Sequence, residues 1–189
     1  MTDLVRDLRV VGLASGADAV AVTSAEPLPE ARAVIEERKA AGLHGGMYFT
    51  YGRPERSTTP SLILEGARSV VVALRRYDAG ETVRSSTEAA VGRYVLHDEY
   101  GQLGVALDAM ADLLERHGAR ATVVMDDNRL VDRAVAFRAG LGWFGRNTML
   151  LHPEIGSWTV IGSVVTDVEL VVDEAPVEDG CGPCTRCQS

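Results

Sequence analysis

Cysteine is nearly missing from this chain. Its 189 residues include three, Cys181, Cys184 and Cys187, all within the last nine positions. No disulfide framework can run through the body of the protein, and three clustered thiols point to a reducing, cytoplasmic setting. No apolar run reaches the length that spans a bilayer, so no membrane association is expected. The first residues, MTDLVRDLRVVGLASG, are interrupted by charges and do not make a signal peptide. Basic charge is also short. Lys and Arg number 19 against 27 Asp and Glu, giving a net charge of −8 and a pI near 5.0. That balance argues against broad nonspecific grip on nucleic acid, which would favour a basic face. There is no GxxxxGK[ST], and no GxGxxG opens a helix after a strand, so neither a P-loop nor a Rossmann domain is supported. Internal repeats and low-complexity runs are absent too.

What remains is the composition of a soluble globular domain, 46% hydrophobic and 24% charged, with enough chain to bury a core. Residues 2–16 carry Leu4, Leu8, Val11 and Leu13 at helical spacing. ADAVAVT (17–23) predicts a strand. Pro27 and Pro29 open a helix over about residues 30–41, which Gly42 ends. SVVVAL (69–74) is a continuous apolar strand suited to the middle of a sheet. Residues 78–90 are small and polar and predict a mobile loop. Leu103, Leu107, Met110, Leu113 and Leu114 share one face of a helix over about 99–117. Residues 122–125 predict another strand. Residues 148–151 and 158–166 predict a hairpin closed across Pro153–Gly156, and the acidic, irregular stretch 167–180 leads to the cysteines. Helices alternating with about five strands give a layered α+β domain.

Two stretches carry chemistry. The first is DDNRLVDRAVAFRAGLGWFGRN, residues 126–147. Leu130, Val131, Ala134, Val135 and Phe137 recur at three-to-four spacing, so a helix follows the two aspartates, and Asp127 or Asn128 can cap it. Asp126 then sits where a buried strand meets a helix N-terminus. It is either a structural cap or a carboxylate held in one orientation for a reaction, with Arg133 on the second turn. Gly140, Gly142 and Gly145 have GxGxxG spacing but follow a helix, and are turn glycines. The second stretch is CGPCTRC. CxxCxxC is the start of a ferredoxin-type run. Zinc is the competing metal, but zinc sites pair two separated knuckles. A further segment, LHGGMYFTYGRPERSTTP (43–60), is too polar for core. It is a surface loop or a loop laid over a cofactor.

Taken in order, RSTTPSLILEGARSVVVAL, GRYVLHDEY, the 126–147 stretch, GSWTVIGSVVTDVEL and CGPCTRC resemble the epoxyqueuosine reductase family, cobalamin-dependent iron–sulfur enzymes of queuosine synthesis in tRNA. The resemblance covers nearly the whole chain. It implies an α/β-type layered sandwich with a mixed central sheet flanked by helices, similar to nitroreductase-like corrinoid-binding domains. Residues 1–175 would form a cobalamin-binding catalytic domain, and 176–189 the truncated start of a ferredoxin-type domain. Asp126 matches the catalytic aspartate and would act as general acid, a role that burial beside a corrin would favour by raising its pKa. Cobalamin contacts would fall on Arg56, Gly92, Asp126, Val131, Asp132, Arg133, Leu150, His152 and Ile161. Ser57 takes the place of Arg56 if no gap is allowed. His152 would hydrogen-bond a corrin side chain or water rather than ligate cobalt, because no DxHxxG is present. Cys181, Cys184 and Cys187 would be three ligands of a [4Fe–4S] cluster whose fourth ligand lies outside this sequence.

Gly101 replaces a histidine common in the family, Asp132 a glutamate and Arg129 a proline. The implied function is epoxyqueuosine reductase: an oxidoreductase acting on tRNA, cytoplasmic and monomeric, fed by a low-potential electron donor. With the acidic charge, the tRNA contacts would be local or lie in other chain. Two alternatives stand beside it: a corrinoid iron–sulfur reductase of a small molecule, and a non-catalytic corrinoid or electron-transfer module. The second alternative needs neither Asp126 nor Arg133.

Overall fold

SVVVAL offers no charged face to water, so both of its sides must be covered, and the fold meets that need from two directions. A computed structural model describes residues 2–77, 92–172 and 177–187. The chain runs α1 (Thr2–Ala14), β1 (Ala19–Ser24), α2 (Pro29–Ala40) and two one-turn helices, α3 (Phe49–Gly52) and α4 (Pro54–Ser57). Then follow β2 (Ser69–Arg76), α5 (Glu99–Arg116), β3 (Ala121–Met125) and α6 (Asp132–Arg138). The short β4 (Trp143–Phe144) and β5 (Leu150–Leu151) precede β6 (Thr159–Thr166). The loop expected over 78–90 and the domain boundary at 175 to 176 lie outside the described residues.

The main sheet has the order β1-β2-β6-β3. Along β2, Val70, Val72 and Leu74 alternate with Val71 and Ala73, and all are fully buried. One face of the sheet receives α1 and α5, where Leu8, Leu103, Leu107 and Met110 pack on Val22, Val71, Ala73 and Val164. The other receives α6 and its approach, where Leu130, Val135 and Leu150 pack on Val70, Val72, Leu74 and Val165. This is the layered α+β sandwich expected. The sheet itself differs from the mixed one expected: among the described residues each of its ladders is antiparallel, with Val22 opposite Val71, Val71 opposite Val164, and Val123 opposite Val164. A continuous apolar strand signals burial on two faces, and periodicity says nothing about strand direction. Among the described residues no helix is long and apolar enough to cross a membrane.

Two local expectations are corrected. Residues 148–151 do not pair with β6. Leu150 and Leu151 turn back onto Phe144 and Trp143, and β6 goes into the main sheet. The turn is made at 145–148, where Thr148 N–H donates to the Gly145 carbonyl and Met149 N–H to the Asn147 side chain, with Thr148 at φ 65°. Pro153–Gly156 closes only an isolated bridge between His152 and Gly156. In addition, α6 starts at Asp132, and its N-cap, Val131, makes no side-chain cap bond. Asp127 caps nothing. Its carboxylate accepts from the backbone N–H of Arg129 and from that residue's Nε, which closes a separate turn before the helix.

Gly142 is where the β4–β5 hairpin is tightest. A Cβ there would stand 2.2 Å from the Leu151 carbonyl oxygen and 2.7 Å from its carbon, both backbone atoms, at φ 155°. Gly142→Ala therefore destabilises the chain by roughly 2–3 kcal/mol, since a backbone strand rather than a side chain must move. Denaturant unfolding checks this, and an unchanged midpoint contradicts it.

Candidate active site

β3 ends at Met125, and the chain breaks out of the sheet at Asp126, which holds the left-handed conformation at φ 48°. An aspartate tolerates that geometry better than most residues. The loop that follows is pinned from below by Ser57. Its buried hydroxyl donates to the Asn128 carbonyl, and its own carbonyl accepts from Val131 N–H at 2.9 Å. The pinned loop walls a cleft of about 340 Å³. Asp126, Asp132 and Arg133 line it with Tyr100 from α5, Leu150 from β5 and Ile161 from β6.

Three carboxylates crowd this wall, and Asp127 and Asp132 are shifted in opposite directions. For Asp127, burial pushes the pKa up, but the two hydrogen bonds and the charge of Arg129 outweigh it and hold the group below the usual carboxylate range. Asp132 is the opposite case. Burial, then the charges of Asp126 and Asp127, raise it to about 7 against the smaller pull of Arg133. Its Oδ1 is shut off from solvent and has no hydrogen-bond partner. Half-buried Tyr100 is raised as well, by burial and then by Asp126 and Asp132. Near neutral pH about half of the molecules therefore still carry a proton on Asp132, beside an exposed Asp126. Arg133 is exposed and donates from Nη1 to the Thr148 carbonyl at 2.6 Å, which ties α6 to the hairpin.

Six of the nine residues expected to contact cobalamin thus meet in one cleft: Asp126, Val131, Asp132, Arg133, Leu150 and Ile161. Three do not line it. Arg56 sits exposed on α4, along a neighbouring groove that it shares with Asn128. Gly92 is exposed ahead of a short 3-10 turn. His152 is folded into its own turn, its Nδ1 facing the backbone N–H groups of Glu154 and Ile155, and burial lowers its pKa against the charge of Glu154. The segment 43–60 is not a plain loop. It forms α3 and α4, and Thr50 reaches the cleft. Asp126, expected to be buried once a corrin lies beside it, is exposed on the protein itself, whereas Asp132, six residues on, begins the packed α6 and is the more buried carboxyl. Tyr100 drew no role from its sequence position. Its signal was its place at the end of the GRYVLHDEY segment, two residues after the cap Asp98 of α5.

The cleft suits a ligand edged with amides, as a corrin is. Its carboxylates accept N–H groups, and the orphaned Asp132 Oδ1 is an acceptor without a donor. The three cysteines are soft thiols of the right type, but as folded they do not close a site. Among the described residues no three His, Cys, Asp or Glu side chains are gathered to hold a metal ion.

No protein-family model matches the chain. Curated proteins do. The epoxyqueuosine reductase of Lactococcus garvieae is 33% identical over 175 residues, covering 89% of this chain and 49% of that protein. A crystal structure of an epoxyqueuosine reductase with an epoxyqueuosine-modified tRNA-Tyr stem loop superposes with a TM-score of 0.86 at 28% identity, over 98% of this chain and 50% of that one. Nearly the whole chain is thus similar to about half of an epoxyqueuosine reductase. It spans about half the length of the curated relatives it matches. A catabolic reductive dehalogenase shares the fold at a TM-score of 0.60 and 21% identity.

Proposed function

We propose that this chain carries the cobalamin-binding, proton-donating part of an epoxyqueuosine reductase that converts epoxyqueuosine to queuosine in tRNA. The observation that carries this reading is the meeting of Asp126, Asp132 and Arg133 in one cleft of a chain related to those reductases. Removing the epoxide oxygen takes two electrons and two protons, forms a carbon–carbon double bond and releases water. Bound cobalamin would supply the reducing chemistry that no side chain can. Asp126, at the mouth, protonates the departing oxygen. Asp132, holding a proton up to about pH 7, stands behind it as a reserve. Arg133 sets a fixed positive charge at the rim to orient the substrate. Asp126, Val131, Asp132, Arg133, Leu150 and Ile161 hold the cofactor's edge.

Cys181, Cys184 and Cys187 would supply three ligands of a [4Fe–4S] cluster, with the remaining ligand from elsewhere. We place the protein in the cytoplasm as a monomer served by a low-potential electron donor. With a net charge of −8, its contacts to the RNA stem loop are local to the cleft rim.

The test is a single-turnover assay. The chain, cobalamin, a strong chemical reductant and an epoxyqueuosine-bearing stem loop are mixed without oxygen, and the nucleoside is analysed by mass spectrometry. The expected product has lost one oxygen atom. Unchanged epoxyqueuosine with cobalamin demonstrably bound overturns the assignment. Rate should also fall as pH rises through about 7, where the Asp132 proton is lost. A rate flat from pH 6 to pH 8 removes Asp132 from the proton path.

A further inference from the structure

The GLGWFGRN segment, residues 140–147, does not line the cleft, yet it reaches the cysteines. Trp143, on β4, directs its indole N–H at the sulfur of Cys181, 3.4 Å away. Gly180 lies flat on the same ring: a Cβ there would come within 2.6 Å of Trp143 Cζ2, so only glycine allows this approach. Arg146, in the turn of the same hairpin, donates from Nη2 to the Gly182 carbonyl at 2.7 Å and from Nη1 to the Cys184 carbonyl at 2.9 Å. The cysteine loop adds its own closure. Cys184 N–H donates to the Cys181 carbonyl, and Cys181 N–H to Asp179 Oδ1. Cys181 is partly buried, whereas Cys184 and Cys187 are exposed.

We propose that Trp143 and Arg146 are a dock that fixes the Cys181–Cys184 turn before any metal arrives, with the Trp143 indole as a hydrogen-bond donor to the Cys181 sulfur. The sulfurs are not gathered in this state. Cys181 is therefore the anchored thiol, on which a site closes by movement of Cys184 and Cys187. The opposite end of the same hairpin belongs to the cleft: Met149 and Leu150 line it, and the Thr148 carbonyl accepts from Arg133. One hairpin, residues 143–151, thus sets the cysteine loop and the carboxylate wall in a single frame. An N–H aimed at a ligating sulfur also raises the reduction potential of the centre that the sulfur joins. The dock stands on the geometry of this chain and does not depend on the reductase assignment.

The test needs no metal and no turnover. Trp143 and Trp158 are the only tryptophans, so the chain gives two indole N–H resonances by NMR. Cys181→Ala should move one of them and leave the other. Trp143→Phe keeps the ring under Gly180 but removes the donor, and Arg146→Gln removes the grip on both carbonyls. Each should speed exchange of the Cys184 amide hydrogen, which donates to the Cys181 carbonyl, by about three- to tenfold, the loss of a hydrogen bond or two from a local opening. Arg146→Lys should restore part of that protection. Exchange of the sheet amides, unchanged in all variants, separates loss of the dock from loss of the fold. Two indole resonances unmoved by Cys181→Ala, or wild-type exchange at the Cys184 amide in both Trp143→Phe and Arg146→Gln, overturns the proposal.

Discussion

Asp126→Asn should lower turnover of an epoxyqueuosine stem loop by about 10²- to 10⁴-fold while leaving cobalamin bound, the range expected when one proton donor is removed from a transition state. The substitution is suited to the question. Position 126 sits at φ 48°, where asparagine is as much at ease as aspartate. The loop around it is held by other groups: the Ser57 hydroxyl and carbonyl, and the Arg129 bonds to Asp127. Asp126 itself is exposed at the cleft mouth. Changing its carboxylate to an amide therefore removes the acid without disturbing the wall. Asp126→Ala would add backbone strain to the chemical loss and is the poorer probe. Turnover by Asp126→Asn at the wild-type rate would assign the proton to another group, with Tyr100 and Asp132 the nearest candidates in the cleft.

Asp132→Asn should stabilise the protein at neutral pH. The folded state holds this carboxyl at about 7 against an ordinary value of 3.8, so folding favours its protonated form. Below about pH 4 both states carry the proton, and this contribution to stability is fully present. As pH rises from 4 towards 7 the unfolded chain ionises while the folded one does not, and stability is lost at up to about 1.4 kcal/mol per pH unit. Above about 7 the folded group ionises too, and the loss levels off. Asp127 and Asp167, both lowered, act in the opposite sense, and so the difference between wild type and variant is the quantity to follow. That difference should be near zero at pH 4 and roughly 2–3 kcal/mol in favour of the variant at pH 8, discounted for the partly exposed side chain. It corresponds to a melting temperature about 5–10 °C higher. A variant that is less stable than wild type at pH 8 would mean that the carboxyl is ionised and partnered in the folded protein. Retaining such a group is the cost of a cleft that stores a proton.

Much of this was legible in the sequence. The covered strand at 69–74, the helix over about 99–117 and the chemical stretch at 126–147 follow from apolar periodicity, whereas the Asp98 cap of α5 was not singled out. The direction of the strands was not legible, because two-sided burial gives the same apolar run in either direction. The hairpin partner of residues 150–151 was misplaced for a different reason. Pro153–Gly156 is the louder turn signal, but Asn147 with Thr148 at positive φ makes the tighter turn. In the cleft, residue type and spacing found Asp126 and Arg133. They could not show which aspartate is buried, since Asp126 and Asp132 differ in burial only through tertiary packing. The tie between Trp143 and Cys181 joins residues 38 positions apart and leaves no periodic trace.

An anaerobic titration of the 189-residue chain with cob(II)alamin, followed by ultraviolet–visible absorption, tests whether the carboxylate cleft holds a corrinoid. A saturable shift to the spectrum of the base-off cofactor, weakened by Arg133→Gln, is the predicted result. A free-cofactor spectrum at every protein concentration would contradict it.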